Sequence, residues 1–457
     1  MKPVAIIGAG ITGLTAAFCL KRQGIAVTVY EAGTRPGGVI QSMRRDGFLA
    51  ESGPNTILET SPEIIQLISD LKLESRRVYT SPEAEARFVV RGKRPIAMPA
   101  SPPGIFLSPL LSLGAKFALL REPFVSPRHD GPEESVAQFV ARRLNREFLE
   151  RLIDALVAGI YAGDTSKLSV QHAFPRLAAL ETKYGSLIKG QIEGARERKK
   201  TGQVARDRAP KFSFDEGLQV LTDTLASQVE VKYHTPVTRL AKIADGWRVT
   251  TSTGEAEHSA VIYCGTAFRL AELQITTDQP VDVSRFSEIR YPPVASVVLG
   301  FRREDVRHPC QGFGMLIPKI EGFKILGTIF SSSLFPNRAP AGHVLLSSYL
   351  GGERQPELAS LPPDELVKVT CDDLTTLLGV KGLPVFEHTA LYSQAIPQYN
   401  VGYGKFKALL DEIEIKTAGL FFAGHFRDGI SLGDSIVSGC NIAERVAKTF
   451  LATGEHR

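Results

Sequence analysis

The sequence predicts an α/β protein of two or three lobes rather than one core. Three observations carry this. The chain has 457 residues, beyond the size at which a single hydrophobic core keeps growing. It opens with "PVAIIGAGITGLTAAFCLKRQGIAVTVYEA", which reads as strand, tight turn, amphipathic helix and strand. It closes with "LFFAGHFRDGISLGDSIVSG", residues 420–439, a second strand that runs through glycines into a helix.

Composition is that of an ordinary globular protein, 43% hydrophobic and 23% charged. A net charge of +5 over this length is a mild bias and argues against a nucleic-acid partner. The five cysteines are scattered and none falls in a CxxC pair. That spacing argues against a disulfide framework or a zinc site and fits a reducing compartment, hence a cytoplasmic location.

Taken in order, Val4 to Ile7 form a buried apolar strand. Leu14, Ala17, Phe18 and Leu20 continue at helical spacing, Gly24 stops the helix, and Ala26 to Tyr30 form the next strand. "MKPVAIIGAG" has too short an apolar run for a signal peptide. Residues 62–75 read as a helix led by Pro62. Residues 95–132 are proline-rich, so long regular elements are not expected there. The exception is "GIFLSPLLSLGAKFALL", 104–120, which Lys116 and Pro109 keep from reading as a span. It stays open between a core helix, a membrane-surface element and the wall of an apolar tunnel. Val136, Phe139, Val140, Leu144, Phe148 and Leu152 give a helical pattern over 133–158. Residues 193–211 hold seven basic and three acidic side chains and read as a solvated loop.

A β-rich run follows, with turns at Asp245-Gly246 and Thr253-Gly254. Its last strand, Ala260 to Cys264, is continuously apolar, as in a buried parallel sheet. Further strands are expected at 295–301, 323–330 and 343–349, and a helix over 363–378.

Gly8-Ala9-Gly10-Ile11-Thr12-Gly13 is GxGxxG, set between a strand and a helix, with Glu31 closing the second strand. In that context it predicts a bound dinucleotide. Gly8 makes the tight turn, Gly10 admits the pyrophosphate, and Gly13 lets helix and strand pack. The helix N-terminus, with Thr12, faces the phosphates. Glu31 suits ribose hydroxyls and repels a 2′-phosphate, which disfavours NADP. The extension "EAGTRPGGVIQSMRRDGFLAESGPNT" points to FAD rather than NAD. Its glycines Gly37, Gly38 and Gly53 let backbone approach a longer cofactor, whose far end a distant segment must cover. Residues 420–439 supply that segment, with the last helix pointing its positive end at the flavin.

These two ends resemble the FAD-dependent amine oxidase and desaturase superfamily. Four internal stretches, "VAGIYAGDTSKLSV" (157–170), "FDEGLQVLTDTLA" (214–226), "LGTIFSSSLFPNRAPAGHVLL" (326–346) and "SQAIPQYNVGY" (393–403), resemble the oxygen-dependent protoporphyrinogen oxidases. The third is especially similar to the plant-plastid type. The resemblance implies oxidation of protoporphyrinogen IX to protoporphyrin IX with O2, giving H2O2, on non-covalently bound FAD. It implies a two-dinucleotide-binding-type, p-hydroxybenzoate hydroxylase-like FAD domain (1–90, 212–285 and 400–457). A helical, membrane-associated domain (91–211) and a mixed-sheet substrate domain (286–399) complete the implied architecture.

Site residues follow from it by position. Arg87 would pair with a propionate, Leu316 and Phe335 would sandwich the macrocycle, and Gly159 would keep backbone close to it. FAD would be held by Gly8, Gly10, Thr12, Gly13, Glu31, Gly38, Val39, Gly53, Pro54, Asn55, Thr56 and Val237. Gly424, His425, Ile430, Ser431 and Leu432 would cover the flavin end. No catalytic acid or base and no metal is expected, because the flavin carries the redox chemistry. His425 and Asp434 depart from the family pattern. Coproporphyrinogen III oxidation stays open as the near alternative. An amine oxidase, a carotenoid desaturase and a non-enzymatic flavoprotein are the distant ones. A single Trp, Trp247, gives little material for the aromatic cage of an amine oxidase. A peripheral membrane contact on the cytoplasmic face, a next-pathway enzyme such as ferrochelatase and a homodimer stay open as partners.

Overall fold

The computed structural model describes residues 2–99, 102–128, 130–201 and 209–452. A five-stranded parallel sheet runs in the order Val231–Lys232, Val27–Tyr30, Val4–Ile7, Val261–Tyr263, Leu420–Phe422. Strands from the start, middle and end of the chain therefore share one sheet. Both faces are covered, which is why its strands lack polar alternation. Val4, Ile6 and Ile262 face the helices Ile11–Arg22 and Leu432–Ala452, while Ala5, Val261 and Leu420 face the cluster around Trp247. Trp247 is buried and donates its indole N–H to the Ala418 carbonyl at 3.2 Å.

A seven-stranded mixed sheet has the order Phe386–Tyr392, Val294–Arg302, His343–Gly351, Ile325–Ile329, Gly314–Leu316, Arg87–Arg91, Arg94–Ala97. All its pairs are antiparallel except Gly314–Leu316 with Arg87–Arg91. Residues 87–90, grouped by sequence with the first unit, thus hydrogen-bond into this second sheet. A four-stranded sheet of 237–276 contains the two hairpins whose turns the Asp-Gly and Thr-Gly pairs marked. The helix expected over 363–378 spans Pro363–Leu378.

A helical region shares a core cluster with residues of both sheets. The pattern over 133–158 breaks into Val136–Arg143, Arg146–Phe148, a π-turn at Leu149–Ile153 and Asp154–Tyr161. Its hub is a buried ion pair that periodicity could not show. Arg143 binds Glu122, and Glu122 also accepts the Ser186 hydroxyl at 2.6 Å and the Leu187 N–H at 2.8 Å. These bonds offset the cost of removing both charges from water. The apolar stretch 104–120 is two short helices, Pro102–Leu107 and Leu113–Arg121, because Pro109 bars Ser108 from helical geometry. No helix among the described residues is long and apolar enough to cross a membrane.

The charged segment 193–211, expected to be a loop, is helical up to residue 201, as the end of the helix Leu187–Thr201. Ser186 starts this helix by accepting the Lys189 N–H at 3.1 Å, and Glu193 pairs with Arg196 at 2.6 Å along its surface. The expectation for 202–208 lies outside the described residues.

Candidate cofactor cradle and substrate face

The glycine loop behaves as its spacing requires. Gly8 turns the chain at φ +101° and donates its N–H to the Tyr30 carbonyl at 2.8 Å. A Cβ on Gly13 would lie 2.0 Å from the Gly8 carbonyl oxygen, so no side chain fits between strand and helix. A Cβ on Gly10 would meet nothing within 4 Å, so the loop presents open backbone where a pyrophosphate would approach. The Thr12 hydroxyl is turned away from that opening and donates to the Ser435 carbonyl at 3.1 Å. Thr12 can therefore serve a phosphate through its backbone N–H, one of the helix-start donors without an intrahelical acceptor.

Glu31 has a second job beyond the one foreseen. Its carboxylate accepts the N–H of Ala9 at 2.8 Å and of Gly33 at 2.7 Å, fastening the glycine loop to the end of the second strand. Each oxygen keeps a lone pair for a ribose hydroxyl. The Thr235 N–H binds the Glu31 carbonyl at 2.8 Å, which brings the strand beginning at Val237 to this end of the cradle.

Gly38 folds over Gly10. A Cβ on Gly38 would sit 3.7 Å from the Gly10 Cα, and the Gly37 N–H donates to the Ala9 carbonyl at 2.8 Å. Arg35, which sequence reasoning missed, holds this turn. Its guanidinium donates to the carbonyls of Pro36 (3.0 Å), Gly38 (2.8 Å) and Ile40 (2.9 Å). The only signal was an arginine just before Pro36-Gly37-Gly38. Val39 is 51% exposed at the rim, an unusual place for a bare isopropyl group and one a flat ring would cover. The Val39 carbonyl packs so closely on Gly53 that a Cβ there would lie 2.5 Å away. Between Pro54 and Thr56, the Asn55 amide donates to the Gly53 carbonyl at 3.1 Å and to the Tyr349 hydroxyl at 2.6 Å. Tyr349 belongs to the seven-stranded sheet, so this turn joins the two sheets.

At the other end, Gly424 leaves the sheet at φ +111°, close enough that a Cβ there would be 3.7 Å from the Thr12 hydroxyl oxygen. The loop after it hangs on side chains. Tyr399 donates its hydroxyl to the His425 carbonyl and accepts the Gly429 N–H at 3.1 Å. Tyr403 donates to the Phe426 carbonyl at 2.7 Å. Both tyrosines lie in the stretch "SQAIPQYNVGY". Ser431 caps the last helix: its hydroxyl accepts the Asp434 N–H at 3.1 Å and donates to the Asp434 carboxylate at 2.6 Å. Asp434 is thus bound within the first helical turn, which answers why an acid stands there. His425 lies with Nε2 3.4 Å from the Tyr291 hydroxyl, and burial pushes its imidazole down to about 4, so it is neutral. Ile430 and Leu432 pack half-buried against the two main cores.

On the seven-stranded sheet, Arg87 pairs in register with Gly314, and Leu316 lies two residues on, on the same face. Gly159 stands mid-helix in Asp154–Tyr161, where a Cβ would lie 2.5 Å from Leu316 Cδ2. Leu156 and Ile160 are exposed beside it. The Arg87 guanidinium sits 5.7 Å from the Phe313 ring centroid and has no carboxylate partner among the described residues. Phe335 does not join this face. It is 1% exposed, enclosed with Ala84 and Leu334 behind Phe313, and the Arg338 guanidinium lies 5.0 Å from its ring centroid, so the ring does not face the apolar surface beside Arg87. The aromatic ring accessible beside Arg87 is Phe313.

The flavin containing amine oxidoreductase family matches residues 11–447. This chain belongs to that family. Its cofactor is FAD, and the cradle fits one: open backbone at Gly10, crossed glycine turns and a second loop at the far end. A protoporphyrinogen oxidase of Arabidopsis thaliana is 35% identical, over 97% of this chain and 94% of that protein. The coproporphyrinogen III oxidase of Bacillus subtilis is 28% identical over 96% of each. A crystal structure from Exiguobacterium sp. 255-15, of a protein ascribed protoporphyrinogen oxidase activity, superposes with a TM-score of 0.82 at 23% identity. It covers 98% of this chain and 99% of that one. The last comparison speaks to the fold, and the family's flavin-dependent redox chemistry follows from the first.

Proposed function

We propose that the chain oxidises protoporphyrinogen IX to protoporphyrin IX by a six-electron reaction with O2 as acceptor and H2O2 as product. The observation that supports this best is Arg87, which has no carboxylate partner among the described residues, beside an apolar face. A porphyrinogen is an apolar disc with anionic propionates, and this pairing matches it. Bound FAD, held without a covalent link, supplies the hydride acceptor. The chain supplies position. Arg87 grips a propionate through its fork of donors, with Phe313 backing its guanidinium. Gly159 lets the helix approach Leu316, and Leu316, Leu156 and Ile160 exclude water from the macrocycle. His425 is neutral, so it adds no charge beside the cofactor's far end.

Coproporphyrinogen III is the second reading, favoured by the Bacillus subtilis relative. It carries propionates in place of two vinyl groups. Each colourless porphyrinogen is incubated with the yellow protein in air, and porphyrin fluorescence is followed together with H2O2. Acceleration above autoxidation with the protoporphyrinogen is expected, and the absence of it with either substrate would sink the reading. Arg87→Ala should raise KM by an amount equivalent to about 1.5–3 kcal/mol while leaving kcat largely intact.

We also read the exposed side chains of Leu107, Leu113, Phe117 and Phe124, with Leu107 86% and Phe124 85% exposed, as a surface for peripheral membrane contact. Co-flotation with liposomes tests it, and full recovery in the soluble fraction would remove it.

A further inference from the structure

Two of the five cysteines that sequence spacing left scattered meet in the fold. Cys19 on the first helix and Cys440 on the last lie with sulfurs 3.9 Å apart, although 421 residues separate them in sequence. The helices approach this closely because Gly439 carries no side chain: a Cβ there would lie 2.6 Å from the Thr12 carbonyl oxygen. Both residues are half-buried. The other three cysteines have no sulfur partner among the described residues. Two of them, Cys264 and Cys310, are buried with their thiols pushed up by desolvation. Cys19 differs. The shared hydrogen bond with Cys440 lowers its thiol below the ordinary value, and the nearby Arg22 adds to this. A thiol held below its ordinary value beside a second thiol is the arrangement from which disulfides form.

We propose that Cys19 and Cys440 are an oxidation site that hydrogen peroxide closes to a reversible disulfide. The Cys19 thiolate attacks one peroxide oxygen. A sulfur–oxygen bond forms, the oxygen–oxygen bond breaks, and hydroxide leaves and takes a proton as water. Cys440 sulfur then attacks Cys19 sulfur, the sulfur–sulfur bond forms, and the second oxygen leaves as water. Two thiols are oxidised and one peroxide is reduced. Bond formation closes the sulfurs from 3.9 Å to about 2.05 Å, and a reducing compartment returns the pair to thiols. The bond ties together the helix that starts at the Gly10 loop and the helix that starts at the Ser431 clamp, so it fastens both ends of the FAD cradle. The proposal does not depend on which porphyrinogen is the substrate, because the test adds the oxidant.

The FAD-loaded protein is treated with hydrogen peroxide without substrate, digested without reductant and mapped by mass spectrometry. The expected result is one cross-linked pair of peptides containing Cys19 and Cys440 and a mass about 2 Da below the sum of the thiol forms. Loss of two of the five thiols accompanies it, and dithiothreitol restores both. FAD release, followed by the recovery of flavin fluorescence, should be several-fold slower from the cross-linked form. Cys19→Ser and Cys440→Ser should each abolish the cross-link, and Cys371→Ser should leave it unchanged. The wild-type map decides the matter even where a variant does not fold. Recovery of Cys19 and Cys440 as separate oxidised acids, or as untouched thiols, overturns the proposal. Unchanged FAD release from a cross-linked sample overturns its link to the cradle.

Discussion

The two ends of the cofactor cradle are built by opposite means. The N-terminal end, Gly8 to Gly13 with Gly37 and Gly38, is made by taking side chains away: Gly13 packs on the Gly8 carbonyl at a distance no Cβ allows, and Gly10 leaves its backbone open. The C-terminal end, Gly424 to Leu432, is made by adding side chains. Tyr399, Tyr403, Ser438 and Ser431 hold the carbonyls and N–H groups of a loop that has little regular structure of its own. The first end is rigid because alternatives are sterically closed. The second is held by hydrogen bonds, each of modest net worth, and is the end that can open.

This contrast can be broken, and the largest effect belongs to the steric end. Gly13→Ala puts a methyl group 2.0 Å from the Gly8 oxygen. It should cost about 3 kcal/mol or more and leave little flavin-bearing protein, read by urea unfolding and by the flavin-to-protein absorbance ratio. A normal yield of yellow protein would mean that helix and strand can slide apart, and that the first end is softer than its geometry implies.

Acid tests the other end. His425 has its folded pKa lowered to about 4 by burial, from an ordinary 6.5. Between those values the unfolded chain binds more protons than the folded one, so stability is complete above about pH 6.5 and is lost as pH falls towards 4, by at most about 3 kcal/mol. Wild-type melting temperature and FAD retention should therefore drop over that window, and His425→Asn should flatten the drop. Identical pH profiles would take His425 out of the clamp.

Tyr399→Phe removes one hydroxyl that serves two backbone groups. It should weaken FAD retention by about 1–3 kcal/mol, roughly five- to 150-fold in Kd, whereas Tyr403→Phe, with one partner lost, should cost about 1 kcal/mol. Equal effects would mean the loop is held by packing rather than by these bonds. Smallest is Ser431→Ala, which removes the helix cap and should lower stability by about 1 kcal/mol with the flavin spectrum little changed.

The difference in construction also explains what could be read in advance. Gly8, Gly10 and Gly13 were legible because a missing side chain at fixed spacing leaves a mark in the sequence. So were the parallel strands Val4–Ile7 and Val261–Tyr263, whose two buried faces demand unbroken apolar runs. Arg35 was not, because an arginine that binds three carbonyls of one turn looks like any surface arginine. Phe335 was misplaced for a related reason. Two aromatics near one sheet edge, Phe313 and Phe335, are equivalent in sequence, and only packing decides which one is accessible. The charged segment from residue 193 looked like a loop because helix propensity and solvation share the same residues.

The sequence by itself determined the dinucleotide unit, the FAD-length extension after Glu31 and the need for a late segment to cover the cofactor. These are local matters of backbone conformation and strand burial. The tertiary structure alone decided which side chains hold that late segment, which strand carries Arg87 into the second sheet, and that Cys19 meets Cys440. Those depend on contacts between residues hundreds of positions apart, for which local pattern carries no record.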